Sequence, residues 1–219
     1  MKVLEVFDSY KDYIMPTYTK VPLIFVKGKG SYLWDIHGKR YLDFFPGWGV
    51  GNLGHCHPKV MQAVRDQVSK LIFIANNYYQ IPQAKLAREL IMLSFAGKVF
   101  FCNSGAEANE GAIKLTRKYG QGRYEIITFQ NAIHGRTLAT LAATGQKKYQ
   151  EGFLPMPEGF RQVKLNALAE VKDAITDKTA GIMLELIQGE GGVNVPDKDF
   201  VLGLRKACDE KKLLLIIDE

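Results

Sequence analysis

The segment Asn103-Ser-Gly-Ala-Glu-Ala-Asn-Glu110 and the carboxylate of Asp218 are the features of this sequence whose residue types and settings suit chemistry. In the first, the apolar run Val99–Cys102 stops abruptly, and small residues open a helix that continues through Ile113 and Leu115. Ser104 followed three residues later by Glu107 has the form of a capping box, while Gly105 and Ala106 leave the first-turn amides uncovered by bulky side chains. Unpaired N–H groups and the positive end of the helix dipole favour an anion there, although an ordinary capped turn has the same pattern. Asp218 ends the apolar run Leu213–Ile217, which carries a carboxylate to the rim of a core. Something positive should face it.

The elements around these residues alternate. A helix runs from Pro82 through about Leu93, then strand 99–102, helix 105–119, strand 125–129 and a helix starting near Arg136. A helix near Ala167–Ile175, strand Gly181–Ile187, helix Lys198–Lys212 and strand Leu213–Ile217 complete the pattern. This spacing predicts an α/β fold, a largely parallel sheet with helices on both faces, in which ligands bind beyond the carboxyl ends of the strands. Those ends deliver the helix start at Ser104, Asn131 with His134-Gly-Arg136, the turn Gln188-Gly-Glu-Gly-Gly192, and Asp218-Glu219. Any one of them reads as a solvated loop; four at one sheet edge point to a polar ligand site.

Residues 1–55 differ in character. A helix over Val3–Tyr13 precedes strands at Leu23–Val26, Tyr32–Ile36 and Tyr41–Phe45, so residues 1–55 are expected to form an N-terminal segment and 56–219 the ligand-binding domain. Gly49, Gly51 and Gly54 match G-x-G-x-x-G, but Pro46 precedes them and a second turn, His55-Cys-His-Pro58, separates them from the next helix, which argues against a dinucleotide site. His55 and His57 flank Cys56, yet no third and fourth ligand is indicated, so loop packing is the reading and no metal is expected.

Composition sets further bounds. At 219 residues the chain can bury a sizeable core, and its charge of +6 is scattered, which argues against a nucleic-acid surface. Three separated cysteines imply no disulfide framework, and the N-terminus lacks a signal-peptide core; a cytoplasmic protein that neither spans nor binds a membrane is expected.

Two cations suit Asp218. Mg²⁺ with a nucleotide would make Leu213–Glu219 a Walker B segment, but no G-x-x-x-x-G-K-[ST] accompanies it. A protonated ring nitrogen is the other; a cofactor with a phosphate at one end and a pyridinium at the other would use both the Gly105–Ala106 amides and Asp218, which describes pyridoxal phosphate.

At this point the chain resembles a class III, pyridoxal-phosphate-dependent aminotransferase. The likeness runs in family order through Leu42-Asp-Phe, Gly54-His-Cys-His-Pro58, Asn103–Glu110, His134-Gly-Arg-Thr-Leu-Ala-Thr-Leu141, Glu185-Leu-Ile-Gln-Gly-Glu-Gly-Gly192 and Ile216-Ile-Asp-Glu219. Thr137–Gly145 followed by Gly152-Phe-Leu-Pro155 favours the acetylornithine branch over the ornithine, 4-aminobutyrate and glutamate-semialdehyde branches. The resemblance implies the type I fold of such enzymes, with part of a small domain in the N-terminal segment and an incomplete large domain, acting as a homodimer. It places phosphate contacts on Ser104, Gly105 and Ala106, the ring-nitrogen carboxylate on Asp218, the substrate-carboxylate arginine on Arg136, and substrate-side residues at Glu190 and Trp48. Ile133 falls where the family usually stacks Phe or Tyr on the ring. The implied reaction moves an amino group between N-acetylornithine and 2-oxoglutarate in arginine biosynthesis. The family's Schiff-base lysine is expected beyond Glu219, so that no catalytic residue is assigned and the chain alone is expected to be inactive. A related ornithine- or 4-aminobutyrate-type aminotransferase and a non-catalytic phosphate-ester-binding fragment are the rival readings.

Overall fold

The computed structural model describes residues 3–219. The chain divides into two compact units, one ending at Ala84 and one spanning Lys85–Glu219.

The first unit holds α1 (Val3–Tyr13), then β1 (Phe25–Lys29), β2 (Tyr32–Asp35) and β3 (Arg40–Leu42), then α2 (Pro58–Val68) and the start of α3 (Ile81–Leu93). The three strands form an antiparallel meander in chain order. Its tight corner is held by Asp35, whose carboxylate accepts from the backbone N–H of His37 and Lys39 and from the Tyr41 hydroxyl, each at 2.9 Å. Gly38, at φ +81, supplies the left-handed residue that the corner needs.

The second unit continues with α4 (Gly105–Gly120), β4 (Glu125–Phe129), α5 (Leu138–Ala143), a short 3₁₀ turn (Lys147–Tyr149), β5 (Phe160–Val163), α6 (Leu168–Ala174), β6 (Thr179–Glu185), α7 (Lys198–Lys211) and β7 (Leu214–Asp218). All four strands are parallel, in the order β5-β4-β6-β7. Strands with both faces covered should be apolar throughout, and β4 and β6 are buried almost end to end. On one face Ile127, Phe129, Ile182 and Leu184 pack with Val171 and Ala174 of α6 and Phe200, Leu204 and Cys208 of α7. On the other, Ile126 and Met183 pack against Ile113 of α4. At about 1.5–3 kcal/mol for each large aliphatic side chain buried, these two layers dominate the stability of the unit.

The winding of this sheet locates a crevice. From β4 the chain moves outward to β5, crosses back to β6, and then moves the other way to β7, so the direction of winding reverses between β4 and β6. Loops leaving the carboxyl ends of two such strands diverge and leave a gap between them.

Two local expectations change. The run Val99–Cys102 forms no strand, because among the described residues no strand offers its backbone a ladder; Phe100 is 73% exposed and its ring lies near Gly111 of α4. Strand β5 has no counterpart in the periodicity reading. At four residues, with Arg161 exposed beside buried Val163, it is too short to show a period and is defined by its pairing to β4.

Candidate functional site

The site is built where α4 begins and where β4, β6 and β7 end. Ser104 is the N-cap of α4: its backbone is extended, and its Oγ accepts from Glu107 N–H at 3.2 Å. Glu107 reaches back as a capping box requires, but its Oε2 takes the backbone N–H and side-chain amide of Asn103, at 2.7 and 2.8 Å, so the box closes one residue early. A Cβ added at Gly105 would meet no atom within 4 Å, so the space over the first turn is open to a ligand. Ala106 is half-buried beside the loop that follows β4.

That loop carries Ile133, His134, Gly135 and Arg136. Gly135, at φ +141, is the residue that lets it lie against α4: a Cβ there would sit 2.5 Å from Thr140 Oγ1 and 2.9 Å from Ala106 Cβ. Arg136 follows on the exposed side, and Thr137 donates to Glu110 of α4. Ile133 is half-buried, and its backbone N–H donates to Glu185 Oε2 at 2.9 Å, joining the end of β4 to the end of β6 across the reversal of winding. Burial pushes the Glu185 carboxyl up from its ordinary value; the Ile133 N–H and nearby His134 oppose this, and the Asp218 and Glu190 carboxylates reinforce it. The turn after β6 is tied to the same place, since Gln188 Nε2 donates to Gln130 O at 2.9 Å.

Asp218, at the end of β7, has a side chain 20% exposed and accepts two hydrogen bonds on one oxygen. Asn109 Nδ2 and His134 Nδ1 each lie 2.8 Å from Oδ2. Asn109 belongs to α4, four residues after Gly105, which at ~1.5 Å per residue sets it about 6 Å along the helix from the open first turn. An open helix start and an anchored carboxylate are therefore joined through Asn109 on one scaffold. This arrangement fits a small molecule with a phosphate at one end and a cationic ring atom at the other.

The sequence of the aminotransferase class-III family matches this chain over residues 13–219. The chain belongs to that family. Among curated class-III relatives, it is 54% identical over 217 residues to an acetylornithine aminotransferase of Methanocaldococcus jannaschii, covering 97% of this chain and 54% of that protein. It is 47% identical over 222 residues to a succinylornithine transaminase of Yersinia pseudotuberculosis, covering 96% and 54% respectively. In structure it is similar to the ornithine aminotransferase of Toxoplasma gondii, with a TM-score of 0.92 and 29% identity over 99% of this chain and 53% of that one. An acetylornithine aminotransferase of Elizabethkingia anophelis aligns with a TM-score of 0.82 and 27% identity over 100% and 53%. The chain thus spans about half the length of the relatives it matches, and its parallel sheet with helices on both faces is the type I fold expected of this aminotransferase family.

Of the residues singled out in the sequence, Ser104, Gly105, Ala106, Ile133 and Asp218 lie on connected elements of this class-III scaffold. Glu190 lies on the exposed turn after β6, where it accepts from the Tyr149 hydroxyl and its charge reaches Glu185 at the end of that strand. Trp48 belongs to the first unit, is 86% exposed, and packs edge-on against Phe45 with ring centroids 4.8 Å apart. His55 Nε2 lies 2.6 Å from Asp43 Oδ2, and that hydrogen bond holds the Asp43 carboxyl below its ordinary value. The site residues that sequence reasoning passed over are Asn109 and His134 as partners of Asp218. Asn109 left one signal: a short amide inside a helix works against propensity and calls for a buried partner.

Proposed function

We propose that the intact protein is a pyridoxal-phosphate-dependent aminotransferase that moves an amino group between N-acetylornithine and 2-oxoglutarate in arginine biosynthesis, in the cytoplasm and as a homodimer. The observation that carries this reading is the Asn109–Asp218 hydrogen bond, which ties the open, capped start of α4 to a carboxylate at a strand end. The names of the curated relatives support an N-acylated ornithine as amino donor, and the presence of succinylornithine transaminases among them makes the succinyl compound a second substrate to assay.

When bound, pyridoxal phosphate supplies an aldehyde for the amino group and an electron-accepting ring. The residues of this chain hold and orient it. The N–H groups of the α4 first turn, with Ser104, Gly105 and Ala106, would take the phosphate, where the helix dipole adds to their donors. Asp218 would face the ring nitrogen and keep its proton in place, because a carboxylate there stabilises the cationic form. Ile133 would cover the ring with aliphatic contact, and Arg136 would bind a substrate carboxylate through its planar pair of N–H groups. Glu190 would adjust the pocket between amino donor and keto acid. No helix among the described residues is long and apolar enough to cross a membrane.

The test is a titration of the intact protein with pyridoxal phosphate, read by cofactor absorbance, followed by transaminase assays with N-acetylornithine and N-succinylornithine. Binding by the unaltered protein and a loss of about a hundredfold or more in Asp218→Ala are expected, as for removal of a buried charged partner. Equal binding by the two proteins would remove the ring-nitrogen role, and failure of both donors to react would remove the substrate assignment.

A further inference from the structure

We propose that Asn109 and His134 form a two-donor clamp that selects which oxygen of Asp218 faces the cofactor ring, with His134 acting through its Nδ1–H tautomer. The inference rests on the reading of Asp218 as the partner of the ring nitrogen. An ionised carboxylate only accepts, so a histidine nitrogen 2.8 Å from Asp218 Oδ2 must carry the hydrogen. The opposite nitrogen, Nε2, is buried without a hydrogen-bond partner among the described residues, in a side chain with no exposed surface. The Nε2–H tautomer would leave a buried donor unsatisfied and also turn the Nδ1 lone pair toward the Asp218 oxygen, so the ring favours the Nδ1–H tautomer.

Asn109 is fixed just as tightly. Its Nδ2 donates to His134 O at 2.7 Å and to Asp218 Oδ2 at 2.8 Å, so both amide hydrogens are engaged and the amide orientation is set. The two donors come from different elements, α4 and the loop after β4, and meet on one oxygen. Oδ1 keeps its lone pairs for a cation. These are positioning residues: they orient a carboxylate and leave the contact with the ring to it.

The geometry makes a sharp demand on substitutions. Asparagine carries its amide nitrogen the same number of bonds from Cβ as histidine Nδ1, whereas glutamine carries it one bond farther, toward the Nε2 position. In the intact protein, His134→Ala and His134→Gln should bind pyridoxamine 5′-phosphate about tenfold more weakly, and His134→Asn should bind within about threefold of the unaltered protein. Inorganic phosphate should bind all of them equally. An analogue with C–H in place of the ring nitrogen should show no loss in His134→Ala, a pattern that a general structural defect would not give. Nitrogen-15 NMR of labelled histidines in the unaltered protein should find the proton of His134 on Nδ1, a readout that needs no variant to fold. A proton on Nε2 with none on Nδ1, or unchanged pyridoxamine phosphate binding in His134→Ala, overturns the clamp while leaving the cofactor assignment standing. No binding of pyridoxamine phosphate by the unaltered protein overturns both.

Discussion

At the scale of single residues, ionisation and burial set how the site responds to pH. Glu185 lies at the end of β6 with its carboxyl pushed up, chiefly by burial, and with Ile133 N–H bonded to it. A raised value in the folded state means that folding favours the protonated form. Its contribution is fully present below the unfolded value of about 4.3 and is lost as pH rises through the folded value. Glu185→Gln keeps an oxygen able to accept from Ile133 and removes the charge. Urea midpoints measured from about pH 4 to about pH 7 should therefore show the variant gaining on the unaltered protein as pH rises, and a constant difference would contradict the assignment. Burial acts likewise on Cys208, whose thiol is pushed up to about 11 by desolvation inside the α6–α7 layer. A thiol reagent at neutral pH should label exposed Cys56 and Cys102 in the folded protein and reach Cys208 only after denaturant is added. Rapid labelling of all three thiols would contradict that packing.

At the scale of elements, local signals were legible where one residue type has one use. The cap at Ser104, the first turn of α4 and the apolar strands β4, β6 and β7 all follow from sequence, because unbroken apolar runs and capped starts leave strong marks. Other features depended on distant partners. Val99–Cys102 has a strand's composition but no ladder, β5 is a strand only through its pairing with β4, and Glu107 closes its box on Asn103. The partners of Asp218 were illegible for the same reason: Asn109 is 109 residues away in sequence and His134 is 84. Only the fold makes them neighbours. The cap itself gives a prediction at this scale. Ser104→Ala leaves the Glu107 N–H without its acceptor and should cost about 1 kcal/mol, whereas Ser104→Gly should cost only a few tenths. Denaturant unfolding of the two variants separates this account from one in which Ser104 serves a ligand alone, since then neither would change stability without phosphate present.

At the scale of the whole molecule, the second unit keeps its stabilising layer and its chemistry on different parts of one sheet. The larger apolar layer lies where α6 and α7 cover β4 and β6, and the site gathers at the strand ends and at the start of α4 on the opposite face. A core truncation in the first should then lower stability without altering ligand affinity. Leu204 is fully buried in α7 and packs in the cluster with Ile182, Leu184 and Phe200. Leu204→Ala removes that packing and should cost about 2–5 kcal/mol, the range set by how far the surroundings collapse into the cavity. Because folded domains are stable by only about 5–15 kcal/mol, the urea midpoint should fall visibly, and it checks the first half of the claim. The second half is read from pyridoxal phosphate affinity at temperatures where the variant remains folded. Affinity should stay within about twofold of the unaltered protein, since sites without shared partners behave almost independently. A parallel fall in affinity would mean that the helices behind the sheet hold β6 and β7 in register for Glu185 and Asp218, whose Cα atoms are paired across the two strands. In that case the packing behind the sheet, as well as the donors in front of it, would set where the carboxylate stands.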